Sequence, residues 1–278
     1  MKAKKRLYLI VEILLTLLML MFIYPLIVML FGSLKSATEL ARNPSGVPAG
    51  ITLENYSRLW NYADALFFRA FLNSVFVSSL YAVCSITIAS MAAYAFSKYR
   101  FSGRNVLFTV IIATIMVPTE LKMPSLYIMF SKIGILDTYI VQILPTLASV
   151  FCMFLMRQHM DSVPDALIEA ARIDGASAFT VFVSVVVPMV KPAIGAMTIL
   201  QFLAKWNDFL WPSMMVTTTR KQPVMVLLPT LNDTMDMYSS PMELIMAGCV
   251  CVVVPLLIVF LLNQENFMSS VSMGAVKG

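Results

Sequence analysis

An all-α, polytopic membrane protein with six transmembrane helices is the fold class this sequence predicts, on three observations. Apolar residues make up 59% of the chain and charged residues 13%, with a mean hydropathy of +0.83, far from the balance of a soluble globular domain. The apolar residues fall in runs of about 20, the length of a helix that crosses a bilayer. Between the runs, Lys and Arg gather in short clusters of the kind that the positive-inside rule places in the cytoplasm.

The first run, residues 7–31, follows a basic KAKKR segment. It is too long for the apolar part of a secretory signal and has no small-residue cleavage site before Pro25, so it reads as a first transmembrane helix with its basic end inside. Glu12, about a turn and a half in, is expected to snorkel or to pair with Lys5. Residues 32–69 carry Pro44, Gly46, Pro48 and Gly50, then Asn55-Tyr56 and Leu59-Trp60, which predicts an ordered extracytoplasmic segment on the membrane surface.

The second span, about residues 70–96, has no charge and is rich in Ser, Ala and Thr, a composition that lets helices pack closely inside a bundle. Lys98, Arg100 and Arg104 follow in one loop, which places that loop and the N-terminus in the cytoplasm. A third span begins near Asn105, but its charge-free run stops at Glu120 and Pro118 and Pro124 interrupt it. The fourth, about 138–156, returns to the inside at Arg157. The fifth, about 183–209, contains Pro188, Pro192 and Gly195, which predicts a bent helix lining a cavity. Near its far end, Lys205 and Asp208 either snorkel at the interface or face a water-filled path. An outer loop, about 216–242, carries Arg220, Lys221, Asp233 and Asp236, and a charge-free sixth span, 244–263, has a kink-forming Pro255. On this path the inner side holds eleven of the 20 Lys and Arg residues, so both termini are expected in the cytoplasm.

The least membrane-like stretch is 161–192, DSVPDALIEAARIDGASAFTVFVSVVVPMVKP. Ser162 is expected to cap a short helix with Pro164 in its first turn. Val163, Leu167, Ala170 and Ala171 share one face, while Asp165, Glu169 and Arg172 lie elsewhere. Gly175 supplies a stop, and Ser177 caps a second helix that turns wholly apolar at Val181. The segment thus predicts a surface helix, a turn and re-entry into the membrane.

Glu169-Ala170-Ala171, then Gly175 after three residues, then Val185 and Val187-Pro188 after nine more, resembles the EAA loop of the permease subunits of ABC importers. Val185 and Val187 stand where the family has Ile and Leu. Ile173-Asp174-Gly175-Ala176-Ser177 is similar to the version in carbohydrate-uptake permeases, the group that includes the maltose-transporter permeases. Trp206-Asn207-Asp208-Phe209-Leu210-Trp211-Pro212 and the tail from Gly274 to Gly278 extend the resemblance, which touches the chain from Asn73-Ser74 onward.

The resemblance implies a type I transmembrane domain over 1–278, with its core at about 70–265 and a cytoplasmic coupling loop at 161–192. It also implies a short interfacial helix at about 124–134. Glu169, Ala170, Ala171, Asp174 and Gly175 would dock and couple to the ATPase; Pro188 and Pro192 would bend the returning helix; Trp206, Asn207 and Asp208 would line the path or its outer gate. Its implied partners are a second permease subunit in a heterodimer, two ATPase subunits that carry ATP and Mg, and a solute-binding protein outside. Membrane lipid surrounds it, in a bacterial plasma membrane, and the carried solute would be a sugar or oligosaccharide.

Other classes fit less well. The net charge of +5 is spread over loops, which fits topology and not a nucleic-acid site. A single histidine, His159, excludes a two-histidine zinc motif, and no G-x-x-x-x-G-K-[ST] loop is present to bind ATP on this chain. Cys84, Cys152, Cys249 and Cys251 lie in apolar runs without metal-ligand spacing, as small core residues do. An ion-coupled secondary transporter, the alternative function, would place carboxylates mid-membrane and show paired inverted halves. An intramembrane hydrolase would need a base beside one of the many serines, and a membrane scaffold would need no spaced loop motif.

Overall fold

The computed structural model describes residues 2–231 and 241–275, and every regular element in them is helical. In chain order these are α1 Lys2–Ser33, α2 Ala37–Arg42, α3 Glu54–Trp60, α4 Tyr62–Lys98, α5 Arg104–Ala113, α6 Thr119–Ile133, α7 Tyr139–Ile143, α8 Val150–Asp161, α9 Asp165–Ile173, α10 Ala178–Val181, α11 Val187–Met189, α12 Lys191–Trp206, α13 Leu210–Met215, α14 Val224–Thr230 and α15 Met242–Ala275. Asp233, Asp236, the Lys5 side chain and residues 276–278 of the tail lie outside the described residues.

Three helices are long and apolar enough to cross a membrane alone: Tyr8–Ser33, Tyr62–Lys98 and Met242–Leu262. Three bent pairs are long and apolar enough together, α5 with α6 at 96°, α7 with α8 at 50°, and Ala178–Met189 with α12 at 83°, which gives up to six crossings among the described residues. The third and fifth spans break near the prolines that predicted it, and the fourth, expected to be continuous, breaks as well. Pro118 separates α5 from α6. The helix expected at about 124–134 therefore starts at Thr119 and not at Pro124, and is capped where expected, at Gly134. Pro145 interrupts the fourth span, and Ser149 caps its second half by accepting from the Cys152 amide.

The chain forms two compact units. The first comprises 1–69 and 227–255. From Tyr8 to Ile27 its α1 is almost wholly apolar and exposed within the chain, and it becomes buried only at its end, at Gly32 and Ser33. The segment after it is ordered, by polar bonds that compensate a buried cation. Lys35 is fully buried and donates through Nζ to Asn43 O (2.7 Å) and Gly46 O (2.6 Å). Asn55 then donates to Ser33 O and Lys35 O at 2.9 and 2.8 Å. Arg58 pairs with the buried Glu243 at 3.5 Å.

The second unit comprises 70–226 and 256–278. Here α4 presents the small face its composition predicts: Ser74, Ser78, Ser85 and Ser90 are buried, as are Ala82, Ala89 and Ala93. At one end of α4, Ala93, Tyr94 and Phe96 join Met156, Met160 and Val181 in one apolar cluster. All four methionines in this cluster, Met153, Met156, Met160 and Met197, are buried, filling the gaps between irregular helix ends. Cys152 is buried among them and is a free thiol, like the other three cysteines.

Candidate functional site

The helix α9 is a nine-residue rod with an acid, Asp165, in its first turn and a base, Arg172, in its last, both favourable to the helix dipole. Ile168 is its buried anchor and Ala171 packs beside it, against the cluster at the end of α4. The predicted face was about one residue out of register: Leu167 is half exposed, and the apolar contact is made by Ile168. The cap also differs. Ser162 closes the preceding helix, donating from Oγ to His159 O, and Pro164 occupies the cap position of α9. Proline offers no side-chain acceptor there, and its carbonyl accepts from the Leu167 amide at 3.2 Å instead.

The far end follows expectation. Gly175 has φ +84°, its amide donates to Arg172 O, and the Ala176 amide donates to Ala171 O, both at 3.0 Å. These two bonds are a Schellman stop, which needs a residue tolerant of left-handed backbone. Ser177 accepts from the Thr180 amide at 3.1 Å and starts α10. From Phe182 to Val186 the helix widens into a π turn just ahead of Pro188, which has no amide to donate, and Val190 then breaks the helix before Pro192 in the first turn of α12.

Glu169, Ala170, Asp174 and Gly175 are exposed on α9 and its stop, with Ala171 half-buried behind them. Ile173 is 86% exposed and Phe179 67% exposed. A rigid helix seated on an apolar cluster therefore offers a small surface of acids, alanines and uncovered apolar groups.

Sequence reasoning had treated Lys98 only as a topogenic charge. The structure places its Nζ 2.6 Å from Val163 O and 2.8 Å from Asp165 Oδ1, at the start of α9. This ammonium holds the exposed Asp165 carboxyl below the usual range. Its only sequence signal was membership of the basic 98–104 loop.

Further along the same unit, Lys205 and Asp208 neither snorkel apart nor stand open. Their side chains pair at 2.7 Å, with Lys205 buried and its Nζ 5.5 Å from the Tyr81 ring centre. Trp206 is buried, stacked on Phe202 at 5.5 Å and edge-on to Phe71 at 5.8 Å, and its indole N–H meets no acceptor among the described residues. Asn207 is exposed at the end of α12. Trp206 and Asp208 thus belong to packed structure, and of the three Asn207 faces outward.

A second polar knot ties the loops at the other end of this unit. Asp137 accepts from the Thr217 and Thr218 amides (3.1 and 2.9 Å), the Thr218 hydroxyl (2.6 Å) and Lys221 Nζ (3.0 Å). Asn73 donates to Arg220 O and Gln222 O and accepts from the Tyr139 hydroxyl. Asn73 was marked only as the start of the family resemblance and Asp137 not at all, because their partners lie far away in sequence.

Comparison with known proteins decides the family. The family model described as "Binding-protein-dependent transport system inner membrane component" matches residues 85–272, which contain α9, its stop and the bent helix after it. The chain belongs to this family. The permease is 33% identical over 262 residues to the arabinooligosaccharides transport system permease protein AraQ of Bacillus subtilis strain 168, covering 93% of this chain and 92% of that one. It is 30% identical to the diacetylchitobiose uptake system permease protein NgcG of Streptomyces coelicolor, over 92% and 84% of the two chains. A crystal structure of a bacterial ABC transporter for import of the acidic polysaccharide alginate superposes on it with a TM-score of 0.85 and 26% identity, over 96% of this chain and 98% of that one. The permease is therefore a membrane subunit of an ABC importer; it works with partner subunits, and ATP hydrolysis belongs to one of them, not to this chain.

Proposed function

We propose that this permease imports a carbohydrate, a sugar or oligosaccharide, and that 161–192 is its coupling loop. Arabino-oligosaccharide, diacetylchitobiose, lactose and alginate, the solutes of several relatives, are carbohydrates, while sn-glycerol-3-phosphate, the solute of others, is a small polyol phosphate. In this reading residues 1–278 act as one permease domain in a bacterial plasma membrane with both termini in the cytoplasm. The partners are a second permease in a heterodimer, two ATPase subunits that bind ATP and Mg, and an extracytoplasmic solute-binding protein.

One observation carries the mechanical part: α9 is a short rod with its buried side seated on the end of α4 and its outer side uncovered. Apolar groups such as Leu167 and Ile173, left exposed beside Glu169, mark a surface that a protein partner covers. Ala170 and Ala171 permit close approach, Glu169 and Asp174 supply polar contacts, and Gly175 permits the turn. Closure of the ATPase pair on ATP then moves α9 as a rigid lever, and the bend at Pro188 and Pro192 converts that movement into rotation of α12. Trp206, Asn207 and Asp208, at the end of α12, would carry it to the path or outer gate.

The test is purification of the chain from its native membrane, with partners identified and ATPase activity measured with and without the binding protein. Recovery of a second permease and an ATPase stimulated by the binding protein supports the reading. Recovery of the chain without a second permease or a stimulated ATPase overturns the partner and coupling parts of the reading. Gly175→Asp is expected to leave solute binding by the external protein intact while abolishing stimulation of the ATPase.

A further inference from the structure

The tip of α4 grips both sides of the strap that leads into α9. Ser97 Oγ donates to Asp161 Oδ1 at 2.6 Å, and Asp161 also lies 3.7 Å from Arg157 of its own helix. One residue on, Lys98 bonds to Val163 O and Asp165 Oδ1. The Lys98 side chain is 5% exposed although Asp165 is 73% exposed, so the cation and not the acid is the buried member. Val163 and Ile168 sit in the same apolar cluster as Ala93, Tyr94 and Phe96 of α4. Moving α9 away from α4 would therefore break two charge-assisted bonds and uncover both an ammonium and an apolar seat.

We propose that Lys98 is a positioning residue that latches α9 to the second span, so that force on the coupling helix reaches α4 directly. The inference rests on the coupling role of α9. By sequence, that helix connects only to α8 before it and, through the Gly175 turn, to α10 after it. Lys98 adds a third attachment, to a helix that ends 64 residues before Ser162 begins the strap's last turn, counting from Lys98 to Ser162. Because α4 carries the small-residue face of this unit, the latch would make that face a moving wall and not a passive support.

The experiment uses the full assembly in liposomes and reads the ratio of ATPase activity with binding protein to activity without it. Lys98→Met is expected to lower that ratio about tenfold, and Lys98→Arg, which keeps a cation able to donate, to restore most of it. A Lys98→Met ratio within about twofold of wild type, or a Lys98→Arg ratio as low as Lys98→Met, overturns the latch. Should Lys98→Met fail to assemble, Lys98→Cys with Asp165→Cys, in a chain lacking the four native cysteines, replaces it. Joining the pair with a short thiol-reactive linker is expected to raise the ratio, and no rise on joining overturns the latch. Gly175→Asp is measured alongside. A normal ratio there overturns the coupling role itself, whereas loss there with a normal Lys98→Met ratio overturns the latch alone.

Discussion

Lys205 Nζ lies 2.7 Å from Asp208 Oδ2, and the other oxygen of the same carboxylate accepts from the Trp211 amide at 3.3 Å. The pair thus closes α12 and opens α13 at once, inside a wall built from Tyr81, Trp206 and Trp211. Its geometry explains why two opposite charges are tolerated in an apolar span: each is the other's solvent.

Removing one member should cost more than removing both. Lys205→Met leaves a largely buried carboxylate without its cation, a loss of about 3 kcal/mol, whereas Lys205→Met with Asp208→Asn recovers much of it. Thermal aggregation of the detergent-solubilised protein, followed by size-exclusion chromatography, reads the difference. Equal destabilisation of the single and double variants would show that the pair does not act as a unit.

The Gly175 turn predicts a graded series. Nothing stands within 4 Å of a Cβ placed there, so for a neutral side chain the penalty is backbone conformation and not crowding, whereas Gly175→Asp acts by adding a third carboxylate beside Glu169 and Asp174. Gly175→Asn, which tolerates left-handed backbone, should nearly preserve stimulation by the binding protein. Gly175→Val should lose it, from about 1–2 kcal/mol of strain placed at the stop of α9. Measured stimulation that ranks Val above Asn contradicts the role given to the turn.

Asp137 sets a pH limit on the polar knot that it forms with Thr217, Thr218 and Lys221. Hydrogen bonds from Thr218, with help from Lys221, lower its pKa from 3.8 to about 2. A depressed carboxylate pKa stabilises the folded knot above the unfolded value, and that contribution fades as pH falls from about 4 toward 2. Amide exchange at Thr217 and Thr218, compared between wild type and Asp137→Asn, should differ at neutral pH and converge near pH 2. A difference that persists at the acid end would mean that the charge is not what holds the loop.

Asn73 is expected to matter as both donor and acceptor. Asn73→Ala leaves Arg220 O, Gln222 O and the Tyr139 hydroxyl without this partner and should cost about 1–2 kcal/mol. Asn73→Asp, which cannot donate, should be no better than Ala. Limited proteolysis of the segment 217–222 measures the release, and wild-type resistance in both variants would remove Asn73 from the knot.

Much of this protein is legible in one dimension. Apolar runs of membrane length, basic clusters between them and a spaced loop motif specify six helical crossings and an importer permease, because the bilayer forces every backbone polar group to bond locally. The stop at Gly175 and the cap at Ser177 are local as well, since each is completed by residues within five positions. The break at Pro118 was legible in its proline, but the one at Pro145 was not, because hydropathy measures length and not direction, so a bent pair and a straight span look alike.

Tertiary structure decided the rest. Which residue of α9 is buried, Ile168 and not Leu167, depends on where the end of α4 meets it. Whether Lys205 and Asp208 face water or each other depends on one turn of helix at the end of α12. The Lys98 bond to Asp165 spans 67 positions and the Asp137 bond to Thr218 spans 81, and no periodicity reaches so far. Secondary structure follows from the sequence because hydrogen bonds in a helix are local. The partners of its charged side chains do not, because only the packed chain determines which of them are shut away from water together.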